Sequence, residues 1–232
     1  MLKGVVSPMR SVPDHIVKPP YAATGQVKRR PESAVKSPDV IARMRRAGAA
    51  AAGLSGIRII AAKSVHIENV QIAGFSQNCI DVATTTAASQ VTIVDSMLQH
   101  CGTNGLNVVT TAAVAVNVQV QNTQILGSTT AGVTSTATGV NAQNGSRIVL
   151  DRTMIANVTT GVNQVNSGGG AASNVFVVNS SIHNAATALK SVTGAIMGAT
   201  QSGFYNCGTI FNINGGSLFT TEATRFCTAS VA

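Results

Sequence analysis

The sequence predicts an all-β fold, a parallel β-helix of about six to seven coils, on three observations. An eighteen-residue pattern recurs: VHIENVQIAGFSQNCIDV (65–82) can be laid without a gap over VTIVDSMLQHCGTNGLNV (91–108) and over VQVQNTQILGSTTAGVTS (118–135). Within each copy, apolar and polar residues alternate with period two. The composition is that of repetitive β-structure: Gly, Ala, Ser, Thr, Asn and Val dominate, Trp is absent, and charged residues make up 10% of the 232, less than half of the usual share.

Each copy carries an apolar anchor, in turn Ile72, Leu98, Ile125, Ile155, Ile182, Phe204 and Phe226, at intervals of 26, 27, 30, 27, 22 and 22 residues. Such periods mean that one copy is one coil of a solenoid. Ahead of the anchor lies a first alternating run: Val65 and Ile67, Val91 and Ile93, Val118 and Val120, Ile148 and Leu150, Val175 and Val177. Behind it lies a second, read as Ile80, Leu106, Val133, Val162 and Leu189, each preceded by a small residue, Cys79, Gly105, Gly132, Gly161 or Ala188. Alternation and β-branching favour strands over helix. Copies joined without hairpin turns must coil in one direction, so equivalent strands stack in parallel about 4.8 Å apart.

Before the anchors stands a polar column, Asn69, Asp95, Asn122, Arg152 and Asn179. Asn and Asp tolerate left-handed backbone, so this column predicts a bend in each coil and serves architecture rather than chemistry. GIRI (56–59) matches CIDV (79–82) and reads as the closing strand of an earlier coil. That register makes Arg58 and Asp81 outward neighbours, followed in the same column by Asn107, Thr134, Asn163 and Lys190. The pair is expected to be solvent-exposed.

Residues 1–53 have different physics. They hold ten Lys/Arg against Asp14, Glu32 and Asp39, and all six prolines fall within the first 38 residues, whereas 54–232 carry six basic against five acidic residues. The expected organisation is a basic, Pro-rich, disordered tail over 1–36, a capping helix over 37–53 and the β-helix domain over 54–232. The helix expectation rests on Ser37 as N-cap, Pro38 at the first helical position, Asp39 at the positive end of the dipole and Gly53 as terminator. No run of about eighteen apolar residues suggests a membrane span, and no apolar stretch near the start reads as an export signal.

The run GLSGIRIIAAKSVHIENVQIAGFSQNCIDV and the ending GGSLFTTEATRF resemble bacterial right-handed parallel β-helix repeat proteins of the pectin-lyase-like superfamily. The resemblance covers roughly residues 53–232 and implies a right-handed coil. Members of this kind are generally exported. Its enzymes cleave acidic polysaccharides, either with calcium held by clustered carboxylates or with an Asn-x-Asp, Asp-Asp, Gly-His-Gly and Arg-x-Lys set.

None of those four strings occurs in this chain. Calcium takes six to eight oxygens, and the solenoid offers only Glu68, Asp81, Asp95, Asp151 and Glu222. Glu68 and Asp151 share a column three coils apart, on the order of 14 Å. Hydrolysis of a glycosidic bond needs two carboxyl groups within about 5–9.5 Å, for which Glu68 with Asp95, beside His66, is the one candidate pair. His66, His100 and His183 fall in three different columns, so no metal site is expected. Cys79 and Cys101 read as small core or turn residues rather than a redox pair, and Cys207 with Cys227 as neighbours on adjacent coils, with pairing left open. Tyr21 and Tyr205 are the only tyrosines.

The functional expectation is therefore a non-catalytic β-helix scaffold or surface-interaction protein, without catalytic residues, cofactor or metal, whose partner is a polysaccharide or another cell-surface polymer. Two alternatives stand beside it. One is a carbohydrate-active enzyme, polysaccharide lyase or glycoside hydrolase. The other is polyanion binding by KRR (28–30) and RMRR (43–46), where the lack of interleaved aromatics argues against nucleic acid.

Overall fold

Three sheets of parallel coil strands run the length of the molecule, and each coil contributes one strand to each, except that the last described coil supplies only two. The computed structural model describes residues 54–84, 88–110, 115–128, 136–166, 173–192, 194–220 and 224–227, with the backbone of the strands Gln26–Val27, Val40–Arg43 and Ala47–Gly48. Among the described residues the sheets hold nine, eight and seven strands, here called A, B and C. A coil passes from a strand of sheet A, such as Ser64–Glu68, through a two-residue turn to a three-residue strand of sheet B, Gln71–Ala73, and then to sheet C, Asn78–Val82. The backbone amides and carbonyls of each strand thus pair with the coils on either side, as buried polar backbone requires. No helix of the described residues is long and apolar enough to cross a membrane.

The anchors stack in register: Ile72 on Leu98, Ile125, Ile155, Ile182, Phe204 and Phe226. The first run does the same, with Val65 on Val91, Val118, Ile148 and Val175. The largest fully buried side chains, among them Ile67, Ile72, Ile80, Leu106, Leu150 and Phe204, all come from the three apolar columns read in the sequence. Core volume at this height of the coil leaves no room behind the second run. At Gly105 an added Cβ would lie 2.3 Å from Ile125 Cγ2 and 2.8 Å from the Gly139 carbonyl oxygen, which is why that column is small.

The turn between sheets A and B is left-handed at each of the six coils where it is described. Asn69, Asp95, Asn122, Arg152 and Asn179 have φ of 57°, 49°, 46°, 47° and 49°, as the polar column predicts, and Gln201 extends it at 48°. Asn122 Nδ2 donates to Asp95 Oδ1, one step along this ladder. Arginine has no local hydrogen bond to offset left-handed backbone, which costs about 1–2 kcal/mol. Arg152→Asn is accordingly expected to stabilise the protein by about 1 kcal/mol, a rise of roughly 2–4 °C in melting temperature.

Two further ladders follow the anchors. Two residues after them, Gly74, His100, Asn157, Asn184 and Asn206 are left-handed as well, and Asn184 Nδ2 donates to Asn157 Oδ1 at 3.0 Å, Asn206 Nδ2 to Asn184 Oδ1 at 2.7 Å. Two residues before them, Ser96, Thr123, Thr153, Ser180 and Ser202 are buried. Their hydroxyls donate to the carbonyl two residues back, as from Ser180 to Val178 at 2.6 Å, and three of them also accept an amide from the preceding coil, as Ser180 does from Thr153 at 2.9 Å.

Four expectations change. In the fourth coil the second run is Gly139 and Val140, not Gly132 and Val133, because Leu106 pairs with Val140 and Asn107 with Asn141. Asn141 Nδ2 donates to Asn107 Oδ1 at 2.8 Å, a bond available only in that register; Thr134 lies outside the described residues. The segment expected as a capping helix is extended wherever it is described. Val40–Arg43 pairs with Ser64–Glu68 in sheet A, Ala47–Gly48 with Gln71–Ala73 in sheet B, and Ser55–Ile59 with Asn78–Val82 in sheet C. These three strands make the earlier coil whose closing strand GIRI was read to be, with Ala47 in the anchor column, and the solenoid pairing starts at Val40 rather than at 54. A paired edge outweighs the local helix signals of Ser37, Pro38 and Asp39 because it satisfies a whole row of backbone groups. The rest of 37–53, and all of the 1–36 tail except Gln26–Val27, which runs antiparallel to Val40–Arg43, lie outside the described residues.

The other two concern individual side chains. Arg58 does pair with Asp81, its Nε 3.1 Å from Oδ2, but Asp81 is buried, at 7% exposure. And Cys79 is joined to Cys101 by a disulfide. The register sets Cys227 opposite Tyr205, not opposite Cys207, and Cys207 is a buried free thiol.

Candidate functional site

The carboxylates are the natural place to look for chemistry, and the coils disperse them. Glu68 stands opposite Val94, so Asp95 falls one position further on, in the left-handed turn. Glu68 Oε2 lies 3.6 Å from His66 Nε2, while Asp95 accepts the Asn122 amide. Asp151 takes Asn179 Nδ2 at 3.2 Å and lies 3.3 Å from Arg152 Nη2. Asp81 heads a strip along the outer face of sheet C: Asn107 Nδ2 donates to it at 2.8 Å, Asn141 to Asn107 at 2.8 Å, and Asn163 to Asn141 at 2.9 Å. Lys190 is the next residue in register. Each amide of this strip is engaged by the coil beside it, which makes it a structural clamp. Glu222 lies outside the described residues.

The histidines stay apart, as their columns predict. His66 is on sheet A, His100 in a turn, and His183 on sheet B, stacked on Tyr205 with ring centroids 4.8 Å apart. Burial lowers the His183 pKa, holding the ring neutral near pH 7. Among the described residues no three His, Cys, Asp or Glu side chains gather as a metal site. Burial pushes the Cys207 thiol up, so it remains protonated and unreactive.

An open cleft of about 620 Å³ lies across the outer face of sheet B and the adjoining turn. Its origin is a loss of side-chain volume along one column. Met154 is followed in register by Ser181, then Gly203, then Arg225, so the sheet is hollowed between a methionine and an arginine. Tyr205 folds back over the hollow: a Cβ on Gly203 would meet its ring at 2.3 Å. Arg152 and Gln201 enter from the turn column, with Asn179 between them. Asp151 partly balances Arg152, whereas Arg225 has no acidic partner among the described residues. The side chains of Ser181, Gln201 and Arg225 make no bond to any other described residue, in contrast to the amides of the sheet C strip.

Sequence reasoning missed this cleft. Its one legible signal is the break in the turn column, where Arg152 and Gln201 replace the Asn or Asp of the other described coils; the hollow at Ser181 and Gly203 reads in sequence as ordinary small residues. Fold and cleft together define a three-sheet parallel β-solenoid of about six coils with a basic side cleft. Compared with known protein families, curated proteins and solved structures, the chain shows no match in any of the three.

Proposed function

We propose that the protein is a non-catalytic β-helix scaffold that binds an extended surface polymer, and that its coil is right-handed, as parallel crossovers almost always are, and of the bacterial pectin-lyase-like kind its repeat resembles. The observation that carries the non-catalytic reading is the employment of the carboxylates. Each of the four described ones, Glu68, Asp81, Asp95 and Asp151, is engaged by a neighbouring side chain of the coil. A glycosidase places two carboxyl groups on either side of the scissile bond, within about 5–9.5 Å of each other. Incubation with acidic and neutral polysaccharides, with and without calcium, is expected to give retention of the polymer on the protein with no new reducing ends and no unsaturated products. Sustained cleavage in any arm would establish the enzyme reading instead.

A further inference from the structure

We infer that the inner corner between sheets C and A, in the coils 146–165 and 173–192, binds at least one ordered water molecule, held by Ser146, Gln164, Ser173 and Ser191. All four residues are fully buried, at 0% exposure. Ser146 Oγ, Gln164 Oε1, Ser173 Oγ and Ser191 Oγ have no hydrogen-bond partner among the described residues. A buried polar atom left unpaired is costly, and native structures leave few of them. Four in one place point to a polar ligand inside.

The register brings the four together. Asn163 pairs with Lys190 in sheet C, so Gln164 and Ser191 follow as inward neighbours on successive coils. Arg147 pairs with Asn174 in sheet A, which sets Ser146 beside Ser173 in the same way. Each such step is about 4.8 Å. The two columns are joined by the Gln164 amide, whose Nε2 donates to the Ser173 carbonyl at 3.1 Å and to the Ile196 carbonyl at 2.8 Å. Those bonds use both N–H groups and fix the amide's orientation, leaving Oε1 as an acceptor without a donor among the described residues.

Elsewhere the same columns are apolar or satisfied. In sheet C, Val82, Val108 and Ala142 precede Gln164, and Ile213 follows Ser191. In sheet A, Val116 stands opposite Ser146, and the Ser89 hydroxyl donates to the Ala62 carbonyl at 2.5 Å. Each serine of the corner has one heavy atom fewer than Val108 or Val116, which opens space in an otherwise close-packed core. The polar run is confined to two adjacent coils, a local breach of the column pattern of the kind that marks a site.

Water suits this corner better than an ion. A buried water needs about two to four polar partners; here it donates to Gln164 Oε1 and exchanges hydrogen bonds with the serine hydroxyls. None of the four oxygens carries charge, and a buried cation without an anionic partner is far more costly than a buried water. The bound water ties the end of sheet C to the start of sheet A.

The test is water-oxygen magnetic relaxation dispersion, which counts long-lived internal waters, on the full chain, on Ser191→Ala and on the Ser146→Ala/Ser173→Ala/Ser191→Ala variant, with thermal melts of all three. The parent is expected to hold at least one more long-lived water than the triple variant. Ser191→Ala should lower the melting temperature by about 2–4 °C, because the water loses a partner. In a dry corner the same change would only remove an unpaired hydroxyl and raise the melting temperature. Equal water counts in parent and variants, or a melting temperature unchanged or raised by Ser191→Ala, would overturn the inference. Melts in sodium, potassium and choline chloride at one ionic strength are expected to coincide. A parent stabilised by one small cation, with that gain absent from the serine variants, would assign the corner to the cation and overturn the water.

Discussion

Ile80→Asp is expected to lower the melting temperature by roughly 10 °C or more, whereas Asp81→Asn, one residue later, should shift it by no more than roughly 3 °C. Ile80 is fully buried in the second apolar column, packed in register between Ile57 and Leu106. A carboxylate there has no partner, and burying it costs on the order of 4 kcal/mol or more once the lost isoleucine packing is included. Asparagine at 81 keeps the acceptor that Asn107 uses and removes only the attraction of Arg58, whose side chain is 63% exposed. A pair with one end in water is worth about 0–1 kcal/mol. Thermal melts of both variants, with Ile80→Ala as a neutral control expected to lose about 2–5 kcal/mol, check the contrast. Equal losses, or a larger one from Asp81→Asn, would mean that the inward and outward faces are reversed.

Removal of the Cys79–Cys101 disulfide should cost about 3 kcal/mol. The bond closes a loop over a sequence separation of 22, and breaking it frees that entropy in the unfolded chain. Both cysteines are fully buried, so the folded protein should resist mild reductant and lose the bond only as it unfolds. The measurement is a denaturant titration of the Cys79→Ala/Cys101→Ala double variant beside the parent, with non-reducing peptide mapping of the parent to show the linked fragments. A parent carrying two free thiols at these positions, or a variant of unchanged midpoint, would refute the crosslink's role.

Much of the solenoid was legible because a stacked coil writes its structure as columns. The anchors Ile72 to Phe226, the first run, the left-handed Asn/Asp turn and the Arg58–Asp81 step each repeat at equivalent positions, so one alignment exposes all of them. The fourth coil shows where that reading fails. AGVTS and TGVNA offer nearly the same local pattern, and Val140 rather than Val133 stacks because Asn141 joins the amide strip between Asn107 and Asn163. The first coil shows the opposite failure, in which helix-start signals at Ser37 to Asp39 are overridden by pairing at an open sheet edge.

By itself, then, the sequence determined the all-β class, the coil repeat and the composition of the core, since all of these depend on periodicity and on residue type at each column. The tertiary structure alone decided what crosses between columns. Cys79 and Cys101 belong to different stacks and meet because the turn between sheets B and C brings one coil's strand end against the next coil's bend. The cleft likewise joins Arg152 in a turn, Gly203 in a strand and Arg225 on a later coil, and no linear pattern records that neighbourhood: curvature of the coil, not spacing along the chain, sets the distances among them.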